Sequence, residues 1–158
     1  MESAPDQEPL PERPCVLVVE GLGRTYDGTR ALADLSFDVR AGEIVGLVGP
    51  NGAGKTTALR SIAGILPIQE GRVLVCGHDI ARAEVAAKRT LAFVPDDPEP
   101  FDALTVEEHL EFTAALYGVA DWRARAQELL ALFELTEKRA ALGGELSRGM
   151  RQKLAFCC

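Results

Sequence analysis

Eight consecutive residues, Gly49 to Thr56, have the types and spacing of a phosphate-binding loop. They read Gly-Pro-Asn-Gly-Ala-Gly-Lys-Thr and fit the pattern G-x-x-x-x-G-K-[ST]. A polyphosphate carries dense negative charge, and the glycines let the backbone turn tightly and direct its N–H groups at such a ligand. A helix that begins near Gly54 adds the positive end of its dipole at the same place. The segment therefore predicts a polyphosphate site.

The side chains that end the loop have separate roles in this prediction. Lys55 can reach the terminal phosphates as a point charge, and the Thr56 hydroxyl can hold magnesium. Thr57 can hydrogen-bond a further phosphate oxygen. A glycine-rich turn between a strand and a helix is the alternative, and the strand-loop-helix context favours the phosphate loop. The candidate residues are Gly49, Asn51, Gly52, Ala53, Gly54, Lys55, Thr56 and Thr57.

The hydrophobic pattern predicts the elements that position this loop. The short apolar run Ile44 to Val48 is typical of a strand buried on both faces. A helix follows the loop, with apolar residues at helical spacing until Pro67. Earlier in the chain, two apolar runs flank the turn residues Asp27-Gly28-Thr29, which predicts an antiparallel β ribbon. Its strands are Val16–Val19 and Ala31–Val39; further predicted elements are a strand at Arg72–Cys76, a short helix at Ala81–Lys88 and a buried strand at Leu91–Val94.

From Thr105 onward the pattern changes to helical. Thr105 followed by Glu108 is a capping box, and an apolar stripe continues from it to Gly118. Asp121 is predicted to cap a second helix, and Ser147 the last one. The predicted stripe residues of the first helix are Val106, Leu110, Ala114 and Tyr117, and a third short helix is expected over Thr136–Ala141.

Composition limits the function classes. The 158 residues are 47% hydrophobic, which suits one globular domain, and the net charge of −7 argues against a nucleic-acid surface. No apolar run approaches the roughly 20 residues that span a bilayer, and no secretory signal begins the chain, so a cytosolic location is expected. Residues 1–14 are acidic and proline-rich, which predicts a disordered tail. The four cysteines and two histidines lack metal-ligand spacing.

In this order along the chain, four segments resemble the ATP-binding subunit of ABC transporters. The segment around Tyr26 resembles the aromatic loop that stacks on adenine, and Gly49 to Thr57 resembles the phosphate loop. Phe93 to Val106 resembles the loop that joins the catalytic core to a helical subdomain, and Leu146 to Gln152 resembles the signature sequence. Position alone would make Tyr26 a half-buried strand aromatic; the resemblance favours the adenine contact.

The resemblance implies the fold and the domain organisation. The fold is α/β: a P-loop NTPase core of ABC type, with an N-terminal antiparallel β ribbon and an inserted helical subdomain. The C-terminal part of that core is expected to be missing, so the domain is incomplete over residues 15–158. Residues 15–95 would form the ribbon and phosphate-loop core, and residues 96–158 the linking loop and helical subdomain through the signature helix.

The resemblance also implies cofactors, partners and a mechanism. ATP and Mg²⁺ would bind at the phosphate loop, while Ser147 and Gly149 would cap the terminal phosphate of an ATP bound by a second ATP-binding domain, identical or not. Closure of the pair would act on a transmembrane permease through the loop from Asp96 to Leu104. The chain would then be cytoplasmic and peripheral on the inner face of the cell membrane, driving transport, with the signature variant favouring drug or small-molecule efflux.

Three departures from the family pattern bear on activity. Asp96 stands where Gln is usual; its carboxylate can coordinate magnesium, but it also adds negative charge near the phosphates. Arg148 and Met150 stand where Gly and Gln are usual. The family's catalytic Glu, its magnesium-binding Asp and its switch His are expected beyond Cys158, so no catalytic residue is assigned within the chain. Binding of ATP with negligible turnover is therefore expected of this chain alone.

Other functions remain open. The first hypothesis is an ATPase subunit that drives transport, seen as an N-terminal fragment. The second is a short protein that binds nucleotide, or another subunit, without catalysis. A soluble relative that remodels ribosomes or DNA is a third, disfavoured by the acidic balance of 24 acidic and 17 basic residues.

Overall fold

The computed structural model describes residues 13–158 in two compact units that meet in sequence at Ala92 and Phe93. We call residues 13–92 the sheet unit and Phe93–Cys158 the helical unit. Of the predicted tail over residues 1–14, all but Arg13 and Pro14 lies outside the described residues. Over the described part of the chain, helices are too short or too polar to cross a membrane.

The sheet unit contains a four-stranded antiparallel sheet. Asp27 and Gly28 have φ values of 44° and 80°, as a two-residue hairpin turn requires, and Tyr26 pairs with Thr29 across it. The predicted β ribbon is thus confirmed, and two later strands extend its sheet. The strands are β1 (Cys15–Tyr26), β2 (Thr29–Arg40), β3 (Glu70–Val75) and β4 (His78–Asp79), in the spatial order β2-β1-β3-β4.

Two helices complete this unit: α1 (Lys55–Ile62) and α2 (Glu84–Lys88). Helix α1 ends before the predicted Pro67, because Gly64 adopts a left-handed φ of 65°. Buried residues of the sheet and of α1 pack in one cluster, so the core forms between the sheet and this helix. Its buried members are Val19, Leu22, Leu32, Ala58, Ile62, Val73, Val75, Ile80 and Ala87.

The predicted buried strand at Ile44–Val48 is wrong, and so is that at Leu91–Val94. Both segments are irregular, and the side chains of Ile44 and Val48 are 101% and 92% exposed. A strand that is buried on both faces needs hydrogen-bonding neighbours and cover above and below. Within the described residues the sheet consists of antiparallel pairs from other segments, and neither run joins it. Hydrophobicity alone therefore did not make a strand.

The helical unit packs three helices and two 3-10 turns around its own core. Thr105 accepts from the Glu108 amide at 3.2 Å and donates its backbone N–H to the Glu108 carboxylate at 2.7 Å, so the predicted capping box is confirmed. The elements are α3 (Val106–Tyr117), α4 (Trp122–Leu132), the turns Thr136–Lys138 and Gly143–Glu145, and α5 (Arg148–Cys157). The buried core is Val106, Leu110, Ala126, Leu130, Leu135, Leu146, Leu154 and Cys157.

Several details of this unit differ from the sequence prediction. Tyr117 is exposed although it falls on the predicted stripe, since it lies at the last turn of α3. Asp121 precedes α4 without capping it through its side chain. The predicted third helix shortens to one 3-10 turn. Burial, followed by the neighbouring Cys158, raises the pKa of the Cys157 thiol to about 11, so this residue is a core thiol and a poor nucleophile.

Candidate nucleotide-binding site

The phosphate loop turns directly into α1. Gly52 and Gly54 both have φ of 81°, in the left-handed region that favours glycine. A Cβ on Gly54 would lie 2.2 Å from the carbonyl oxygen of Ala31 in β2, so only glycine fits there. Gly54 is also the N-cap of α1 and provides no side-chain cap. The free N–H groups of the first turn are therefore available to an anion.

Lys55 folds back over the loop. Its Nζ donates hydrogen bonds to the carbonyl oxygens of Gly49 and Pro50, each at 2.7 Å. These bonds hold the ammonium group beside the loop and tie the two ends of the turn together. A phosphate oxygen at the helix N-terminus would meet this cation and the free amides of the first turn.

A cavity of about 470 Å³ opens next to these groups. One wall is β2 from Arg30 to Leu35, and another is formed by Leu47 and Val48. The loop from Gly52 to Lys55 closes a third side. The predicted residues Asn51, Gly52, Ala53 and Thr56 are exposed along this loop, and Gly54, Lys55 and Thr57 are half-buried. The sheet unit thus brings the predicted phosphate-binding side chains and amides to one place.

Thr56 is the candidate magnesium ligand of this unit. Magnesium is commonly held by one or two protein oxygens, while phosphate oxygens and waters complete its octahedron. The exposed Thr56 hydroxyl next to the free amides fits such a partial ligand. Over residues 13–158, no group of three or more His, Cys, Asp or Glu side chains could hold a metal without such help.

Tyr26 lies at the end of β1 with its side chain 40% exposed. The guanidinium carbon of Arg24 stands 4.7 Å from the centroid of its ring, and Arg24 itself is only 8% exposed. Sequence reasoning missed Arg24. The available signal was its position two residues before Tyr26, since residues i and i+2 share one face of a strand.

The signature residues lie at the start of α5. The Ser147 hydroxyl accepts a hydrogen bond from the Met150 amide at 3.3 Å, as predicted for a cap. Gly149 faces open space, because a Cβ built there meets no atom within 4 Å. The Ser147 hydroxyl and the Gly149 backbone are therefore accessible from outside the helical unit.

Two side chains of α5 bind the segment that resembles the linking loop. Gln152 donates to the Pro95 carbonyl oxygen at 3.1 Å, and the Arg148 Nη2 donates to the Asp96 carbonyl oxygen at 3.4 Å. The Arg148 Nε also pairs with the Asp97 carboxylate at 3.6 Å. Two of the departures from the family pattern, at 96 and 148, thus contact each other, and Asp96 contributes its carbonyl to that contact. Asp96 lies in the helical unit and Thr56 in the sheet unit.

Comparisons with known proteins identify the family to which this chain belongs. Residues 32–158 match the ABC transporter family. The chain is 36% identical over 143 residues to the SkfA peptide export ATP-binding protein SkfE of Bacillus subtilis, covering 89% of this chain and 59% of that protein. It is 34% identical to the doxorubicin resistance ATP-binding protein DrrA of Mycobacterium tuberculosis, covering 90% of this chain and 44% of the relative.

A solved ATP-binding subunit of an ABC transporter has a similar structure, with a TM-score of 0.81 and 33% identity, over 90% of this chain and 60% of that one. The chain therefore belongs to the ABC transporter family, and its α/β fold is that of a partial nucleotide-binding domain. It spans about half the length of the two curated relatives described above.

Proposed function

We propose that this chain is part of an ATP-binding subunit of an ABC transporter and binds ATP at the Gly49–Thr57 loop. The observation that carries the proposal is the geometry at Gly54. A left-handed glycine that is pressed against Ala31 starts a helix with free amides, and Lys55 follows at once. This combination concentrates positive potential where a triphosphate would lie.

Each part of the nucleotide has a candidate contact in the sheet unit. The loop amides and Lys55 bind the phosphates, and Thr57 adds a hydroxyl. Thr56 holds Mg²⁺, which supplies charge neutralisation when it is bound. Tyr26 stacks on the adenine ring, since its side chain is partly exposed. The sequence also names Asp96, which lies in the helical unit, as a candidate magnesium ligand.

The helical unit contacts the nucleotide of a second domain in this proposal. Ser147 and Gly149 contact the terminal phosphate of an ATP that is held by a second ATP-binding domain, identical or not. In the intact protein, hydrolysis drives transmembrane transport through a permease, at the inner face of the cell membrane. Small-molecule, drug or peptide efflux is the favoured direction, because SkfE is described as a peptide export protein and DrrA as a doxorubicin resistance protein.

Nucleotide binding without turnover is the second candidate for the 158 residues alone. It is favoured by the exposed, irregular segment at 44–48, which leaves the phosphate loop without a strand behind it. We expect no sustained ATP hydrolysis by this chain alone; a steady-state rate comparable with that of an intact family member would contradict this. Copurification with a multi-spanning membrane protein would support the transport role over a purely regulatory one.

The test of binding is a Lys55→Ala variant titrated with Mg·ATP by calorimetry. Loss of the loop cation should weaken ATP binding by at least about 100-fold, as expected for removal of a charge-assisted contact to phosphate. The matched control is Lys88→Ala in the same unit, whose ammonium pairs with Glu84 at 2.6 Å. An unchanged ATP affinity of Lys55→Ala would remove the phosphate-loop assignment.

A further inference from the structure

Arg24 is a buried cation that the proposed phosphate contacts do not use. It is 8% exposed, and its Nη1 donates to the Pro67 carbonyl oxygen at 2.7 Å. Its buried Nε has no hydrogen-bond partner among the described residues, where no ion pair of Arg24 is found either. A buried guanidinium needs compensation for the water that it loses. The ring face of Tyr26, 4.7 Å away, provides it.

The pairing of β1 with β2 is irregular beside Arg24. The register of β1 with β2 shifts on both sides of Arg24, between Leu22 and Arg24 and again between Arg24 and Thr25. Such bulges re-aim side chains and increase the local twist. The Thr25 amide also donates to Gln69 Oε1 at 3.0 Å. The strand end that carries Tyr26 is therefore held by its pairing with Thr29 and by the bonds of Arg24 and Thr25.

Both of these bonds reach the segment that follows α1. Pro67 accepts from Arg24, and Gln69 accepts from Thr25. Helix α1 begins at Lys55 and ends at Ile62, and the amides of Ile65 and Leu66 bond back to the Arg60 carbonyl oxygen in its last turn. The Tyr26 ring is thus connected through Arg24 to the same helix whose N-terminus forms the phosphate site.

We propose that Arg24 is the positioning residue of a purine-stacking platform: it covers part of the Tyr26 ring and holds it so that the remaining ring surface receives the nucleotide base. This inference rests on the proposed ATP site. Tyr26 is 40% exposed, so surface remains for a base. Because stacking on a ring face does not read hydrogen-bonding edges, Arg24 affects ATP and GTP alike.

The experiment compares two ligands that share the phosphates and differ in the base. Mg·ATP and Mg·tripolyphosphate are titrated by calorimetry into the chain and into Arg24→Gln, Tyr26→Ala and the double variant. Arg24→Gln should lose roughly 5- to 10-fold in ATP affinity, while tripolyphosphate affinity stays within about twofold. The double variant should bind ATP no more weakly than Tyr26→Ala, since Arg24 acts through the ring. Arg72→Gln, which loses the 3.0 Å pair of this exposed arginine with the partly buried Asp79, is the control.

The outcomes separate the inference from the proposed function. An equal loss for both ligands, no loss for ATP, or additive losses in the double variant would overturn the positioning role. No binding of either ligand by the unaltered chain would overturn the ATP site itself, and this inference with it. If Arg24→Gln does not fold, Arg24→Lys retains the charge but lacks the planar group, so it should show a smaller loss that is again selective for ATP. For Arg24→Lys, an equal loss of affinity for both ligands, or no loss of affinity for ATP, would contradict the proposal.

Discussion

The phosphate loop and the signature segment both lead into a helix, but the two helix N-termini are completed differently. At α1, Gly54 has no side-chain acceptor, so the first-turn amides are left to an external ligand. At α5, the Ser147 hydroxyl already accepts from the amide of Met150. The first N-terminus depends on a ligand for its hydrogen bonds, whereas the second is partly satisfied by its own chain.

The segments that precede these helices differ in the same sense. Residues 44–48 before the phosphate loop are exposed and pair with no strand of the described sheet. Before α5, Leu142 forms a bridge with Thr105, and the Gly143 amide donates to the Leu104 carbonyl oxygen at 2.8 Å. Leu146 is buried in the core of the helical unit. The signature segment is therefore held by bonds and packing within the helical unit, whereas residues 44–48 before the phosphate loop are not held in this way.

The largest effect expected from this contrast is a difference in hydrogen-exchange rate between the two segments. The amides of residues 44–48 lack ladder partners, so they should exchange near the rate of an unstructured chain. The amides of Gly143 and Leu146 are bonded within the helical unit and should exchange slower by on the order of 1,000-fold, because protection follows the free energy of opening. Mass spectrometry of peptic fragments provides the measurement, with β1 amides at Val18 and Val19 as an internal protected reference. Equal protection of the two segments would contradict the contrast.

Glycine-to-alanine variants sharpen the comparison at the two helix starts. Gly54→Ala forces a left-handed φ and a 2.2 Å approach to the Ala31 oxygen, and should destabilise the sheet unit by about 3 kcal/mol. Gly149→Ala lies in open space within α5 and should stabilise the helical unit by up to about 1 kcal/mol. Hydrogen exchange of β1 amides reports on the first variant and fluorescence of Trp122, the chain's one tryptophan, on the second. Similar effects from both substitutions would show that the two glycines are equivalent.

The same contrast explains what the sequence predicts well. The capping box at Thr105 and Glu108 and the turn at Asp27 and Gly28 depend on interactions within a few residues, so their residue types suffice to predict them. The turn of the phosphate loop is also local, since Gly52 and Gly54 adopt left-handed φ values and the Lys55 Nζ donates to carbonyl oxygens within the loop. Its binding of phosphate stays a prediction. These are the parts of the fold and of the candidate site that followed from the sequence.

Predictions that required distant partners were less successful. Ile44–Val48 has the composition of a buried strand, but a strand forms only where other segments hydrogen-bond to it and cover it. Arg24 was missed for a related reason: its burial depends on Pro67 and on the Tyr26 ring, and an arginine in a sequence is usually exposed. Long-range packing decided both cases, and a single sequence does not display it.

Cap substitutions compare two helix starts within the helical unit. Thr105 both accepts from and donates to Glu108, whereas Ser147 accepts one longer bond from Met150. Thr105→Ala should therefore cost about 1 to 2 kcal/mol and Ser147→Ala about 0.5 to 1 kcal/mol of the unfolding free energy. Urea unfolding followed by Trp122 fluorescence measures both. A larger loss at Ser147 would mean that the closer capping box is not the stronger one.

The smallest expected effect is a change in pH dependence at the same capping box. The Glu108 carboxylate accepts from the Thr105 backbone N–H and from the Thr105 hydroxyl. The first bond has the larger effect, and together they hold the pKa of Glu108 below the usual 4.5. Folding therefore gains stability from this group above pH 4.5, and loses it as the pH falls through the lower folded-state pKa. Glu108→Gln keeps an acceptor for the cap but does not titrate, so its unfolding free energy should decline less below pH 4.5. Thr105→Ser keeps both donors, so its unfolding free energy should follow that of the unaltered chain. Trp122 fluorescence measures the unfolding of each variant at each pH. Parallel curves for Glu108→Gln and the unaltered chain would show that the cap does not shift this pKa.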